Sequence, residues 1–136
     1  MRPNKVKGEF AIALDGADHI MRPSYEAIVA IETETGKSVI ALANDATNAA
    51  LTVREMATIA GECVREYGRQ ESDASHQNVN DAAVQRCIVE MGPLHALSPI
   101  QDMLIKAATG GITATGKPKA PTTTAKTSEQ GAGTAE

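Results

Sequence analysis

Near the start of the chain, apolar and smaller residues alternate. Positions 7–14 read KGEFAIAL, with Phe, Ile and Leu on every second position, which is the period of a half-buried strand. The next four residues, Asp15 to Asp18, are turn formers, and Asp-Gly is a strong hairpin signal because glycine tolerates positive φ. A second strand is predicted from His19 to Arg22. It ends at Pro23, which has no amide hydrogen for the ladder.

After the hairpin, apolar residues recur at steps of three and four, the period of a helix. Ser24 is placed to cap a first helix from Tyr25 to about Thr35, which Gly36 ends. The predicted buried side of this helix consists of Tyr25, Ile28, Val29 and Ile31.

Two further helices are predicted in the middle of the chain. Ser38 opens a short one over positions 39–43, which the polar residues at 44–48 end or fray. Thr52 and Glu55 stand in the spacing of a capping box, so the clearest helix begins there and runs to about Arg69.

The last part of the pattern predicts a loop and two helices. Positions 70–78 are polar throughout and predict an exposed loop. Asn80 or Asp81 then caps a helix that Gly92-Pro93 ends, and a final helix runs from Ser98 or Pro99 to Gly110.

The residues after Gly110 differ in composition from the rest. Positions 111–136 hold one large aliphatic residue, Ile112, among Thr, Ala, Gly, Pro and Lys. Such a segment cannot bury enough apolar surface to offset its ordering entropy. We therefore expect one α+β domain over 1–110, with an N-terminal two-stranded hairpin and four to five short helices, and a disordered tail over 111–136.

The charge and composition of the chain argue against several classes of function. The 136 residues carry 13 basic and 17 acidic side chains, a formal charge of −4, and only three aromatic residues. Nucleic acid is therefore an unfavourable partner, because it requires a basic surface or aromatic stacking platforms. No run approaches 18 apolar residues, so no membrane span is predicted. The absence of a signal peptide and of paired cysteine spacing predicts a protein that stays inside the cell.

The sequence contains no recognisable reaction centre. No motif places His19, His76 or His95 beside Cys63 or Cys87, and both thiols fall in apolar stripes, where cysteine is usually a small buried hydrophobe. The carboxylates Asp15 and Asp18 belong to the predicted turn, where Asp is favoured for its local hydrogen bonds. We therefore predict a protein that is not an enzyme, with no catalytic, cofactor-binding or metal-binding residue.

One segment suggests a binding surface. Between Val84 and Ile105 a Gly-Pro break separates two apolar, Met-containing stretches, and Met-rich surfaces adapt readily to a partner helix. The alternative is that these residues only complete the core. The candidate partner-binding residues are Ile88, Met91, Leu94, Leu97, Met103 and Leu104.

Three stretches of the sequence carry a family resemblance. They are GEFAIALDGAD at Gly8 to Asp18, YEAIVAIETETGKSVIALA at Tyr25 to Ala43, and LTVREMATIA at Leu51 to Ala60. Together they resemble the tail assembly chaperones of tailed phages and gene transfer agents, in particular the small gene-transfer-agent-type proteins. The similarity extends over about Lys7 to Gly110.

The resemblance implies an assembly factor in the host cytoplasm. Such a protein would cover apolar helices of the tape measure protein until tail tube subunits polymerise around them, and the tail tube protein itself could be a second partner. The alternative is a structural component, a minor tail or tail tube subunit of the particle. A homo-oligomer is compatible with either function.

Overall fold

A two-stranded antiparallel sheet opens residues 9–119, the part of the chain that this computed structural model describes. Strand β1 (Phe10–Leu14) pairs with strand β2 (Ala17–Met21), with Leu14 opposite Ala17. Asp15 and Gly16 alone form the turn, and both have positive φ, 55° and 79°. This is the backbone of a two-residue hairpin whose twist matches its strands. The turn is thus two residues shorter than predicted, because Asp15 itself adopts the left-handed conformation.

Six helices follow the hairpin within the described residues. They are α1 (Tyr25–Thr35), α2 (Val39–Thr47), α3 (Val53–Glu71), α4 (Ala74–Gln77), α5 (Asp81–Met91) and α6 (Pro93–Ala108). The α+β class is confirmed, with one or two helices more than predicted. None of these helices combines the length and the apolar character needed to cross a membrane.

Local capping signals account for where several helices begin and end. The Ser24 hydroxyl accepts a hydrogen bond from the Ala27 amide, and Gly36 ends α1 with a φ of 71°. Thr52 and Glu55 form the predicted capping box, with both reciprocal hydrogen bonds at 3.0 Å. Such caps satisfy amides that the first turn of a helix leaves without partners.

Two predicted segments differ from the structure in the second half of the chain. The predicted loop over 70–78 contains the end of α3 and the short helix α4, because the Asp73 carboxylate caps the amide of Ser75 at 3.0 Å. The last helix begins at Pro93, five residues before Ser98, so Pro99 lies inside it. Helix α2 likewise continues through the polar positions 44 and 45 to Thr47.

Helix α3 is the central element of the core. It packs against α1, α4, α5, α6 and β2. Its buried face includes Met56, Ile59, Ala60, Cys63 and Val64, each at most 3% exposed. A helix that is contacted on so many sides positions the hairpin and the other helices relative to one another.

The segment after α6 is part of the packed structure. The carbonyl of Ala114 accepts a hydrogen bond from the Tyr25 amide at 2.9 Å, and Ile112 packs against the core. Gly116 is buried, and a Cβ built on it would lie 2.5 Å from the Ser24 nitrogen. The predicted boundary after residue 110 is therefore too early for residues 111–119. The rest of the predicted tail, 120–136, lies outside the described residues.

Candidate binding surface

The six candidate partner-binding residues occupy different environments. Four of them are buried in the core: Ile88, Leu97, Met103 and Leu104. Met91 is half-buried at the end of α5, and Leu94, in the first turn of α6, is 74% exposed. In the isolated chain, Leu94 and part of Met91 are the members of this set that a partner could reach. Their partner-binding role stays a prediction.

A more open apolar surface lies on α1. Tyr25 is 63% exposed and Val29 is 55% exposed, and residues four apart lie on the same face of a helix. Together with Ile28, Pro23 and Ile112 they line a shallow groove of about 240 Å³. The prediction that Tyr25 and Val29 are buried is wrong, because Ala27 and Ile31 occupy the side of α1 that faces the core.

A buried arginine joins the hairpin to α3. Arg22 is 2% exposed, and its guanidinium contacts the carboxylates of Glu9 at 2.9 Å and Glu71 at 3.3 Å. The same guanidinium lies over the Tyr67 ring, 4.8 Å from the centroid. Because two carboxylates partner its buried charge, Arg22 has a structural role in joining the hairpin to α3.

The polar network around Arg22 extends to the segment after α6. Gln70 accepts a hydrogen bond from Arg22 and donates one to the Thr115 carbonyl at 2.8 Å. Glu66 is 5% exposed; burial raises its pKa, but hydrogen bonds from Arg69 and Gln70 outweigh this and lower it. The network therefore contains ionised groups that hold elements together.

His76 contacts the edge of strand β2 that is not paired with β1. Its Nε2 atom accepts a hydrogen bond from the Ile20 amide at 3.2 Å, and its Nδ1 atom lies 3.0 Å from the Asp73 carboxylate. Burial lowers the pKa of His76, and neighbouring His19 lowers it further, whereas Asp73 acts in the opposite direction. Only the neutral ring can accept the Ile20 bond, so protonation would break this contact.

We expect stability to fall as the pH drops below about 6.5, the ordinary pKa of histidine. The folded protein binds the His76 proton less readily than the unfolded chain, so acid favours unfolding until the pH passes the lowered pKa. Urea unfolding of the wild type at pH 7.5 and pH 5.5 would measure this loss. His76→Gln keeps an acceptor that does not titrate and should reduce the difference, whereas His19→Gln removes only the smallest contribution to the lowered pKa of His76 and should retain most of it. An unchanged pH dependence in His76→Gln would contradict this assignment.

The described residues offer little reactive chemistry. Burial raises the pKa of the Cys63 thiol far above its usual range, so the thiol stays protonated and is a poor nucleophile. Cys87 is half-buried on α5. Within 9–119 no group of three His, Cys, Asp or Glu side chains is arranged to hold a metal ion. Six large apolar side chains are exposed on the described surface: Tyr25, Val29, Ile40, Val89, Leu94 and Ile105.

Comparison with known proteins identifies the family. A family model described as "Phage tail tube protein, GTA-gp10" matches residues 7–111, well over half of the chain. No curated protein and no solved structure matches the chain. The match supports a tail protein of a phage or gene transfer agent, but its description names a tube protein where the sequence resemblance indicated an assembly chaperone. The chain belongs to the phage tail tube protein, GTA-gp10 family.

Proposed function

We propose that this protein is a non-enzymatic structural component of the tail of a phage or gene-transfer-agent particle, and that it acts at the tail tube. The observation that carries the proposal is the family match over residues 7–111, which contains the hairpin and all six described helices. Because the match spans every described element, we assign the function to the fold as a whole. We expect the protein to exert it through contacts with other proteins.

The described surface is suited to such contacts. Apolar side chains are exposed on α1, α2, α5 and α6, and the most exposed are Tyr25, Val29, Ile40, Val89 and Leu94. Covering a large apolar side chain contributes about 1.5–3 kcal/mol. A subunit that meets several neighbours could gain this energy from different faces.

A second function, a tail assembly chaperone for the tape measure protein, is favoured by the groove on α1. The groove is shallow and is lined by the apolar side chains of Tyr25, Val29 and Ile112. This shape fits the apolar side of a helix laid across it. In this function the protein works in the host cytoplasm during assembly, and the tape measure protein is its main partner.

Quantitative mass spectrometry of purified particles separates the two functions. A structural component is expected at a fixed ratio to the other tail proteins. A chaperone is expected to be absent or in trace amounts, and to keep the co-expressed tape measure protein soluble. The structural proposal fails if the protein is missing from intact particles, and the chaperone proposal fails if the tape measure protein is equally soluble alone.

Paired surface variants refine this test. Tyr25→Ser removes the largest exposed apolar side chain of the groove, and Leu94→Ser removes one at the start of α6. If the groove holds the partner, Tyr25→Ser should reduce particle incorporation or tape measure solubility, while Leu94→Ser serves as the matched control. A larger loss in Leu94→Ser than in Tyr25→Ser would instead assign binding to the start of α6.

A further inference from the structure

Residues 111–119 form a small unit with hydrogen bonds of its own, which we call the strap. The Thr113 amide donates to the Lys117 carbonyl at 2.8 Å. The Lys119 amide donates to the Gly111 carbonyl at 2.9 Å, so the two ends of the strap lie side by side. Because these bonds are internal, the strap keeps them when it moves away from the rest of the domain.

The strap is attached to the rest of the domain at few points. Besides the backbone bond that joins it to α6, two hydrogen bonds hold it within the part of the chain that the structure describes. The Ala114 carbonyl accepts one from the Tyr25 amide at 2.9 Å. The Thr115 carbonyl accepts the other from the Gln70 side chain at 2.8 Å, and Ile112 adds a half-buried apolar contact with the core. Regions with few attachments open at a lower free energy than the centre of a core.

Two glycines mark the hinge and the docking point of the strap. Gly110, between α6 and the strap, has a φ of 81°, and a Cβ built on it meets no atom within 4 Å. Gly116 lies against the start of α1, where a Cβ would come within 2.5 Å of the Ser24 nitrogen. The backbone can therefore turn freely at Gly110, whereas closure requires the close approach that only glycine permits at position 116.

The closed strap supplies part of the groove on α1. Ile112, Thr113 and Ala114 line the groove from the strap, and Tyr25 and Val29 line it from α1. Closure also brings the Ala114 carbonyl to the Tyr25 amide, one of the first-turn amides that a helix leaves without a partner. The groove is therefore complete only while the strap is closed.

We propose that the strap opens and closes as one unit about Gly110, separately from the core, and that its closure controls whether the groove on α1 is formed. Opening withdraws Ile112 and returns the Tyr25 amide to water, while α3 and its contacts stay intact. This conformational device goes beyond the tail function proposed above and is compatible with either form of it.

Hydrogen exchange of single amides, followed by NMR on the full chain, tests the proposal. The amides of Tyr25, Thr113 and Lys119 each donate to a strap carbonyl and should share one protection factor. We expect this factor to lie at least about tenfold below that of the Ile59 amide in the buried centre of α3. The Tyr25 amide reports the groove directly, because Tyr25 and its acceptor Ala114 both line it. Low concentrations of urea should change strap exchange little, since opening exposes little surface.

Two glycine variants separate opening of the strap from unfolding of the whole domain. Gly116→Ala should lower the protection of the strap amides by at least about fivefold, because the new Cβ strains a positive φ of 93° and meets the start of α1. Gly36→Ala is the matched control, since Gly36 has a positive φ of 71° but a Cβ there meets no atom within 4 Å. The control should lower the protection of α3 amides through global unfolding and leave the strap amides unchanged.

Three results would overturn the proposal. The first is a set of strap amides that are as protected as those of α3 and respond equally to Gly116→Ala and Gly36→Ala. The second is a set of strap amides that exchange at clearly different free energies, and the third is a strap without protection, which is not closed in solution. The wild-type comparison decides the question alone if Gly116→Ala does not fold. Each result leaves the tail function to be judged separately by mass spectrometry of particles.

Discussion

Ile88→Ala is expected to lower the free energy of unfolding by about 2–5 kcal/mol, the usual range for removing a buried aliphatic side chain. Ile88 is fully enclosed on α5 and belongs to the main core cluster. The truncated side chain would leave a cavity that the surrounding helices fill only in part. Urea unfolding of the purified chain, followed by circular dichroism, measures the change.

Leu94→Ala is the matched control for Ile88→Ala. Leu94 belongs to the same predicted surface but is 74% exposed, so its truncation should change stability by no more than about 0.5 kcal/mol. If Ile88→Ala does not fold, Ile88→Val, with an expected cost of about 0.5–1.5 kcal/mol, replaces it. Equal effects at positions 88 and 94 would contradict the placement of these residues.

Arg22→Met is expected to destabilise the protein by about 3 kcal/mol, at the low end of the range for breaking a buried ion pair. Methionine fills much of the space but leaves Glu9, whose side chain is 17% exposed, without its cation. The contact with the Tyr67 ring is lost at the same time. The measurement is again urea unfolding at neutral pH.

Arg54→Met controls for the loss of one positive charge. Arg54 is exposed on α3, and its replacement should have an effect within about 0.5 kcal/mol. An unchanged or increased stability in Arg22→Met would mean that the cost of removing the Arg22 charge from water exceeds the energy of its contacts. That outcome would reject a stabilising role for the cluster.

The features that sequence analysis predicted well depend on neighbouring residues. Asp15 and Gly16 specify a tight turn, Ser24 specifies the start of α1, and Thr52 with Glu55 specifies the start of α3. In each case the donor and acceptor are within three residues of each other, so their spacing in the sequence is enough to identify them.

The features that were missed depend on contacts between distant parts of the chain. Position 76 lies in a stretch whose sequence predicts a polar loop. His76 is nevertheless buried, and its ring accepts a hydrogen bond from the distant Ile20 amide. Arg22 appeared only as the end of a strand, although its partners include Glu71 on α3. The sequence predicts Tyr25 and Val29 in the core because α1 carries apolar residues on more than one face, and periodicity alone cannot show which face is covered.

The packed segment after α6 places Lys119, the last described residue, beside the start of that segment. Lys119 donates a backbone hydrogen bond to Gly111 at 2.9 Å, and the neighbouring Ile112 lines the groove on α1. A photoreactive group attached to Lys119 would therefore start close to that groove. Position 119 is therefore a natural attachment site for a crosslinker that captures whatever Tyr25 and Val29 contact during tail assembly.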